Sequence, residues 1–252
     1  MAVVPFPDPV LDTWAPDVWS GAELPADRVR ALAVGAWWAH SWNAPHDVLP
    51  LGARAEAVGV LEQWWGVAAP ADAHTTTRQL LSGMHAPLYT VVNPLVGNAL
   101  KLQIAAGNIA AEHRLFLRDY AAFSGHDCLP YYEGWLRANQ DGQLSGLPFG
   151  RRTDEIVAFD LVRAAFMARA CRTAEYFDDD AAWQYLLRGL ELARQHYRNW
   201  GQLSRAYLTG YAFWKASQDL SGLRAGVLER RQGVVRLHTV PTSPWRRYSL
   251  LP

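Results

Sequence analysis

Between Asp154 and Arg172 the chain places apolar residues on every side of a helical wheel: Ile156, Val157, Phe159, Leu161, Val162, Ala164, Phe166, Met167 and Ala168. A helix that is apolar all round is a buried helix. Upstream, Val29, Leu32, Ala33, Ala36 and His40 keep i, i+3, i+4 spacing from Pro25 onward, and Asn43-Ala44-Pro45 ends that helix. A second helix is predicted over about Ala53–Trp65, with Gly66 as its C-terminal cap. A third, more polar one covers 70–84. Pro87 and Pro94 are expected to break the next stretch. Periodicity returns near Asn98 and continues to Phe123. There Ile109, His113, Phe116, Tyr120 and Phe123 repeat at 4-3-4-3 spacing, a packing seam that Gly107 interrupts.

Beyond the central helix, the acidic run Asp178-Asp179-Asp180 suits the N-terminus of a helix carrying Trp183, Leu186, Leu187, Leu190, Ala193 and Tyr197. Asn199 caps the next helix. Its residues Trp200, Leu203, Tyr207, Gly210 and Trp214 repeat 3-4-3-4, and Gly210 in that seam implies close approach of a neighbour. From Gly222 the β-branched residues around Gln232-Gly233 read as a short hairpin. The pattern therefore predicts a mainly all-α, single compact helical domain of about seven or eight helices over 25–222. A Pro-rich acidic arm (1–24) precedes it, and a basic tail with a possible β-hairpin (223–252) follows.

Composition narrows the function classes. The chain has 252 residues, half of them apolar, so it can bury a sizeable core. Its 24 basic and 24 acidic residues cancel, which argues against a nucleic-acid or membrane-surface binder. The charge is unevenly spread. Residues 1–27 hold five acids and no Lys or Arg, and 224–252 hold six Arg against one Glu. The two tails are either solvated or in contact with each other, within one chain or across a dimer. The 12 tryptophans point to large helix contacts or a partner surface, with Trp14 and Trp19 as anchors for the arm. Cys128 and Cys171 form no CxxC and suit a reducing cytoplasm. The N-terminal stretch lacks the basic flank of a signal peptide, and no apolar run is long enough to span a bilayer.

Candidate chemistry is sparse. Asp160 and Arg163 are three apart inside the apolar helix, so their side chains share a face. They are either a structural ion pair or a charged couple presented to a pocket, where Arg163 binds an anion and Asp160 orients it or acts as base. Arg169 lies on the same helix and is a further candidate ligand-binding residue. The loop 138–150 has three glycines four apart, which fits neither dinucleotide nor phosphate-loop spacing, and Arg151 and Arg152 follow it as possible cleft residues. Trp200 and Tyr207 stand opposite the central helix as ligand contacts or as core. His126-Asp127-Cys128 holds the parts of a thiol nucleophile, but residues two apart in a loop rarely reach the required hydrogen bond. His40, His46, Glu112 and His113 are scattered on separate segments, so no metal and no cofactor are expected.

One resemblance is carried by particular residues. Phe159-Asp160-Leu161-Val162-Arg163, Tyr176-Phe177, Ala182-Trp183, Asn199-Trp200 and the run Arg205 to Trp214 resemble the bacterial domain-of-unknown-function family 1266. That family's pattern has W-D-x-x-R, an aromatic and acidic turn, a helix with Trp, S-W, and S-Y-L-x-G-x-x-F-W. The likeness spans about 151–216, and Trp64-Trp65 would extend it upstream. Phe159, Asn199 and Tyr211 depart from the pattern. Tyr211 stands where the family has Arg, which removes a cation that an anion site would use. The resemblance implies an all-helical bacterial protein and no particular reaction, with a weak link to secretion or toxin genes. The expected function is a non-catalytic, cytoplasmic protein that binds another protein, homo-oligomer possible. The alternative is an enzyme on a small anionic substrate, using Asp160, Arg163, Arg151 or Arg152 beneath the 138–150 loop.

Overall fold

The computed structural model describes residues 17–102, 106–145 and 153–252. Their regular structure is helical throughout, with no strand among them. Ten helices of nine residues or more occur: α1 (Ala26–Val34), α3 (Arg54–Trp65), α4 (Pro70–Leu81), α5 (Ala86–Lys101), α6 (Ala106–Ser124), α7 (Leu129–Gln140), α8 (Val157–Thr173), α9 (Asp179–His196), α10 (Trp200–Gln218) and α11 (Leu223–Thr239). Two short ones, α2 (Ala36–Ser41) and α12 (Pro244–Arg247), complete the set.

The chain gathers into two compact units. Residues 1–84, 160–204 and 229–252 form the first, and 85–159 with 205–228 form the second. In the first, α8 is the buried post that its all-round apolar pattern predicts. Leu161, Val162, Phe166, Met167, Ala168 and Ala170 are all buried. Phe166 packs on Trp38 at 4.4 Å between ring centroids and on Trp65 at 6.2 Å. Gly35 separates α1 from α2, and a Cβ there would lie 3.0 Å from the Ala165 Cβ. The N-terminal helix α1 packs along α9. Helix starts and stops follow the predicted chemistry. Gly66 caps α3 in the left-handed conformation (φ 63°). Asp178 accepts from the Ala181 N–H at 2.8 Å, and Asn199 Oδ1 accepts from Gln202 N–H at 2.9 Å.

In the second unit α5 packs on α7 and α6. The prolines at 87 and 94 do not break α5. Pro87 sits in its first turn, where no N–H donor is needed, and Pro94 is carried inside the helix. Helix α7 has no counterpart in the periodicity reading; Ala138 to Gln140 end it, so the loop begins later than 138. Two glycines set helix distances here. A Cβ on Gly210 would stand 2.4 Å from the Phe159 Cβ, which bears out the close approach read from the α10 seam. A Cβ on Gly134 of α7 would stand 2.1 Å from the Ala216 carbonyl oxygen of α10.

The C-terminal hairpin is not formed; 223–239 is the helix α11. Its buried positions Leu223, Val227, Arg230, Val234 and Leu237 repeat 4-3-4-3, a helical period that outweighs the β-branched composition. Gly226 of this helix lets a neighbour in close: a Cβ there would meet the Tyr211 hydroxyl oxygen at 2.3 Å. The α6 seam also differs from expectation. His113 is buried, yet Phe116 is 50% exposed and Phe123 92% exposed. Among the described side chains of α6, the buried ones are Ala110, His113 and Leu117.

Candidate functional site

The expected ion pair is present on α8. Asp160 is wholly buried and lies 3.7 Å from the Arg163 Nη1. The guanidinium of Arg163 also stacks over the Trp65 ring, 4.6 Å from its centroid, and keeps 12% of its side chain exposed. Further arginines among the described residues sit on tryptophans: Arg28 on Trp183, Arg230 on Trp37 and Arg247 on Trp19. Much of the tryptophan content thus serves as apolar platforms that let arginine stems and planes be covered.

Arg169 has a different setting. It is buried, and its Nε and Nη2 donate to the loop between α2 and α3, whereas its buried Nη1 has no hydrogen-bond partner among the described residues. Nε donates to Leu49 O at 3.0 Å, and Nη2 donates to Pro45 O at 2.8 Å and Val48 O at 3.0 Å. Burial pulls its pKa down to about 9, against the nearby Asp47 charge, so it stays protonated at neutral pH. Thr173, one turn on, donates to Arg169 O and accepts from Leu51 N–H. A loop whose carbonyls turn inward needs such a donor, because unpaired buried carbonyls are costly.

The same loop carries His46 and Asp47, and the 17–22 strap is laid across it. Asp47 accepts from the backbone N–H groups of Ser20 at 2.7 Å, Gly21 at 2.9 Å and Ala22 at 3.0 Å. Asp17, whose side chain is buried, lies 3.3 Å from His46 Nε2 and 3.7 Å from His40 Nδ1, and accepts from the Thr242 hydroxyl at 3.1 Å. Burial pushes the Asp17 carboxyl up, but the His40 and His46 imidazoles and the Thr242 hydroxyl outweigh it and hold it well below the usual range. Trp19 Nε1 donates to Thr242 O at 2.9 Å. The acidic arm and the basic tail therefore meet within one chain, through Thr242 and the Arg247–Trp19 stack. Sequence separation hid this cluster: Asp17 is 29 residues from His46 and 225 from Thr242. The one local signal was a His-Asp pair directly after a helix-ending proline.

The pH response follows from the histidines. Burial pushes His46 down, with Asp17 opposing. Burial also lowers His113, against Glu112, and lowers His238, together with Arg246. Each folded value lies below the ordinary one of about 6.5, so the unfolded chain takes up these protons first. The stability they confer is full above that value and is lost as pH falls through the folded values. The melting temperature is expected to fall between neutral and mildly acidic buffer, and less steeply in His46→Gln. A melting temperature that rises on acidification would contradict this assignment.

The remaining candidates disperse. Trp200 stacks on Trp245 (5.4 Å between centroids, 6° between planes) and donates to Tyr248 O, while Tyr207 packs near Phe159 in the second unit. Arg151 and Arg152 lie outside the described residues, as do 146–150 of the glycine loop. Cys128 is buried at the start of α7, where burial and then Asp127 push its thiol up; His126 is turned to Ser124 O. Burial pushes Cys171 up to about 12. Neither thiol is set up as a nucleophile. His113 meets the Tyr132 hydroxyl at 3.0 Å. Among the described residues no group of three or more His, Cys, Asp or Glu is arranged to hold a metal.

A family model described as Protein of unknown function (DUF1266) matches residues 60–250, well over half of the chain. The chain belongs to this family. The match takes in α4 through α12, and so includes the Asp160–Arg163 pair, Arg169 and Thr242. It leaves out Asp17, His40, His46 and the carbonyls that Arg169 holds. The cluster around Arg169 therefore joins DUF1266 residues to a segment that precedes the matched region. No curated protein and no solved structure matches the chain.

Among the described residues, α6 carries three of the exposed large apolar side chains. Leu115 is 57% exposed, and Phe116 and Tyr120 stack side by side at 6.2 Å, with Phe123 beyond them. Large aromatics in water at i and i+7 of one helix, with the half-buried Tyr120 between them, carry a free-energy cost, since about 25 cal/mol is forgone for each Å² of apolar area left uncovered. Among the described residues no helix is long and apolar enough to cross a membrane.

Proposed function

We propose that this DUF1266 protein acts by binding protein, through the exposed face of α6. The single observation that carries the reading is the exposure of Phe116 and Phe123 on a helix whose other side is buried. Aromatic residues dominate interface energetics, and an amphipathic helix with open anchors at i and i+7 has the form of a helix-docking element. A role beside secretion or toxin systems belongs to the same proposal as its finer part. The enzymatic alternative would need Asp160 and Arg163 to reach a substrate. Asp160 is sealed, and Arg163 is held between it and Trp65, an arrangement that favours architecture.

The test is capture from native lysate with tagged wild type and with the Phe116→Ser/Phe123→Ser variant. Both positions are exposed, so the variant is expected to fold and to melt within about 2 °C of wild type. A protein retained by wild type and lost by the folded variant is the expected result. Identical captures by both would end the reading.

A further inference from the structure

Helix α6 carries more than an apolar stripe. Ile109, Glu112, Phe116, Asp119 and Phe123 run at 3-4-3-4 spacing down one side, so acids alternate with apolar residues along the ridge. Glu112, Phe116, Asp119 and Phe123 are all exposed. A second surface has the opposite character. On α11 and the residue after it, Arg231, Gln232, Val235, Arg236, Thr239 and Val240 line a groove of about 440 Å³. Val235 is 43% exposed in it, and Arg231 is exposed at its rim.

We propose that the occupant of the α6 ridge is a second copy of this chain, seated through its α11 groove. The proposal rests on the protein-binding reading of α6 and names its partner. Charge decides the pairing. An α6 ridge against another α6 ridge sets Glu112 and Asp119 against acids, and an α11 groove against another sets Arg231 against arginines. Both are disfavoured, because like charges brought together while losing water cost several kcal/mol. The crossed arrangement places Glu112 and Asp119 opposite Arg231 and Arg236. It lays Phe116 and Phe123 against Val235 and Val240. An acidic ridge is likewise repelled by an anionic bilayer. The contact is heterologous, one face to a different face, so it either closes into a ring or continues as a chain of subunits. One helix laid on one groove covers less than the roughly 1,200 Å² of a standard interface, so association is weak and depends on salt.

Sedimentation velocity on the purified full chain, from micromolar to submillimolar concentration at low salt, tests this. Wild type is expected to shift to larger species as concentration rises and to revert in high salt. Glu112→Arg/Asp119→Arg and, separately, Arg231→Glu are expected to remain monomeric. The chain carrying all three changes recovers part of the association, because the ridge's new bases then face the new acid at position 231, while Arg236 is unchanged. Circular dichroism confirms that each variant is folded; every altered position is exposed. Wild type that stays monomeric throughout overturns the proposal. So does self-association that survives either charge reversal, or that the triple change fails to restore. If the lysate capture still depends on Phe116 and Phe123 while the pure protein stays monomeric, the protein-binding reading stands and this one falls.

Discussion

Arg169→Ala lowers the melting temperature by roughly 10 °C, the largest loss expected from a single charged residue of the chain. The substitution removes the donor that holds the Pro45, Val48 and Leu49 carbonyls. Those carbonyls then face a cavity instead of a guanidinium. Hydrogen bonds to a charged donor contribute about 1.5–3 kcal/mol each when both partners are buried, and the terms are not fully additive, so about 3–5 kcal/mol is the reasonable range. Arg169→Lys keeps the charge but loses the planar fork that reaches several carbonyls at once, and it recovers only part of the loss. Thermal melts followed by circular dichroism settle the matter. A change of under about 2 °C in the alanine variant would mean that the 45–50 loop does not depend on this residue.

The second large effect comes from adding a single carbon. Gly134→Ala places a Cβ 2.1 Å from the Ala216 carbonyl oxygen, inside the range that real atoms never share. The obstacle is backbone, so α7 and α10 must move apart. Overpacking of this kind costs about 3 kcal/mol or more, equivalent to roughly 6–12 °C in melting temperature. Gly59→Ala in α3 is the control. A Cβ there meets nothing within 4 Å. Alanine is the better helix former by about 0.5–1 kcal/mol, so that variant is expected to melt slightly higher than wild type. If both alanines lowered the melting temperature equally, close approach at Gly134 would not be the cause.

These residues show what the sequence could and could not carry. The post α8 was readable because burial on all sides leaves an apolar residue at every helical angle. Caps at Gly66, Asp178 and Asn199 were readable because each acts within four residues. Gly210 was readable from its place in a seam, whereas Gly134 stood in a stretch whose helix was not recognised. The α11 helix was misread because composition, three valines and two glycines, was weighed over the spacing of the buried positions. The 4-3-4-3 spacing on α6 reads as a packing seam, yet Phe116 and Phe123 of that stripe are exposed. Spacing alone does not say whether a stripe meets its own protein or water, and Phe123 meets water. Arg169 was a candidate anion ligand by type. Only the folded chain shows that its donors are turned to its own loop, and only the fold brings Asp17, His40, His46 and Thr242 together.

The two units differ in how late their pieces arrive during synthesis. The second is complete in sequence once residue 228 has been made, whereas the first draws on 1–84, 160–204 and 229–252. The Asp17 and Trp19 contacts with Thr242, and the Arg30 contact with Ser249 O, join stretches more than 200 residues apart. A growing chain therefore holds Trp37, over which Arg230 lies, and the Ala33 carbonyl, to which Trp245 Nε1 donates, without those partners until residues 229–252 emerge. During that interval the first unit's apolar interior is what a chaperone or a protease would meet.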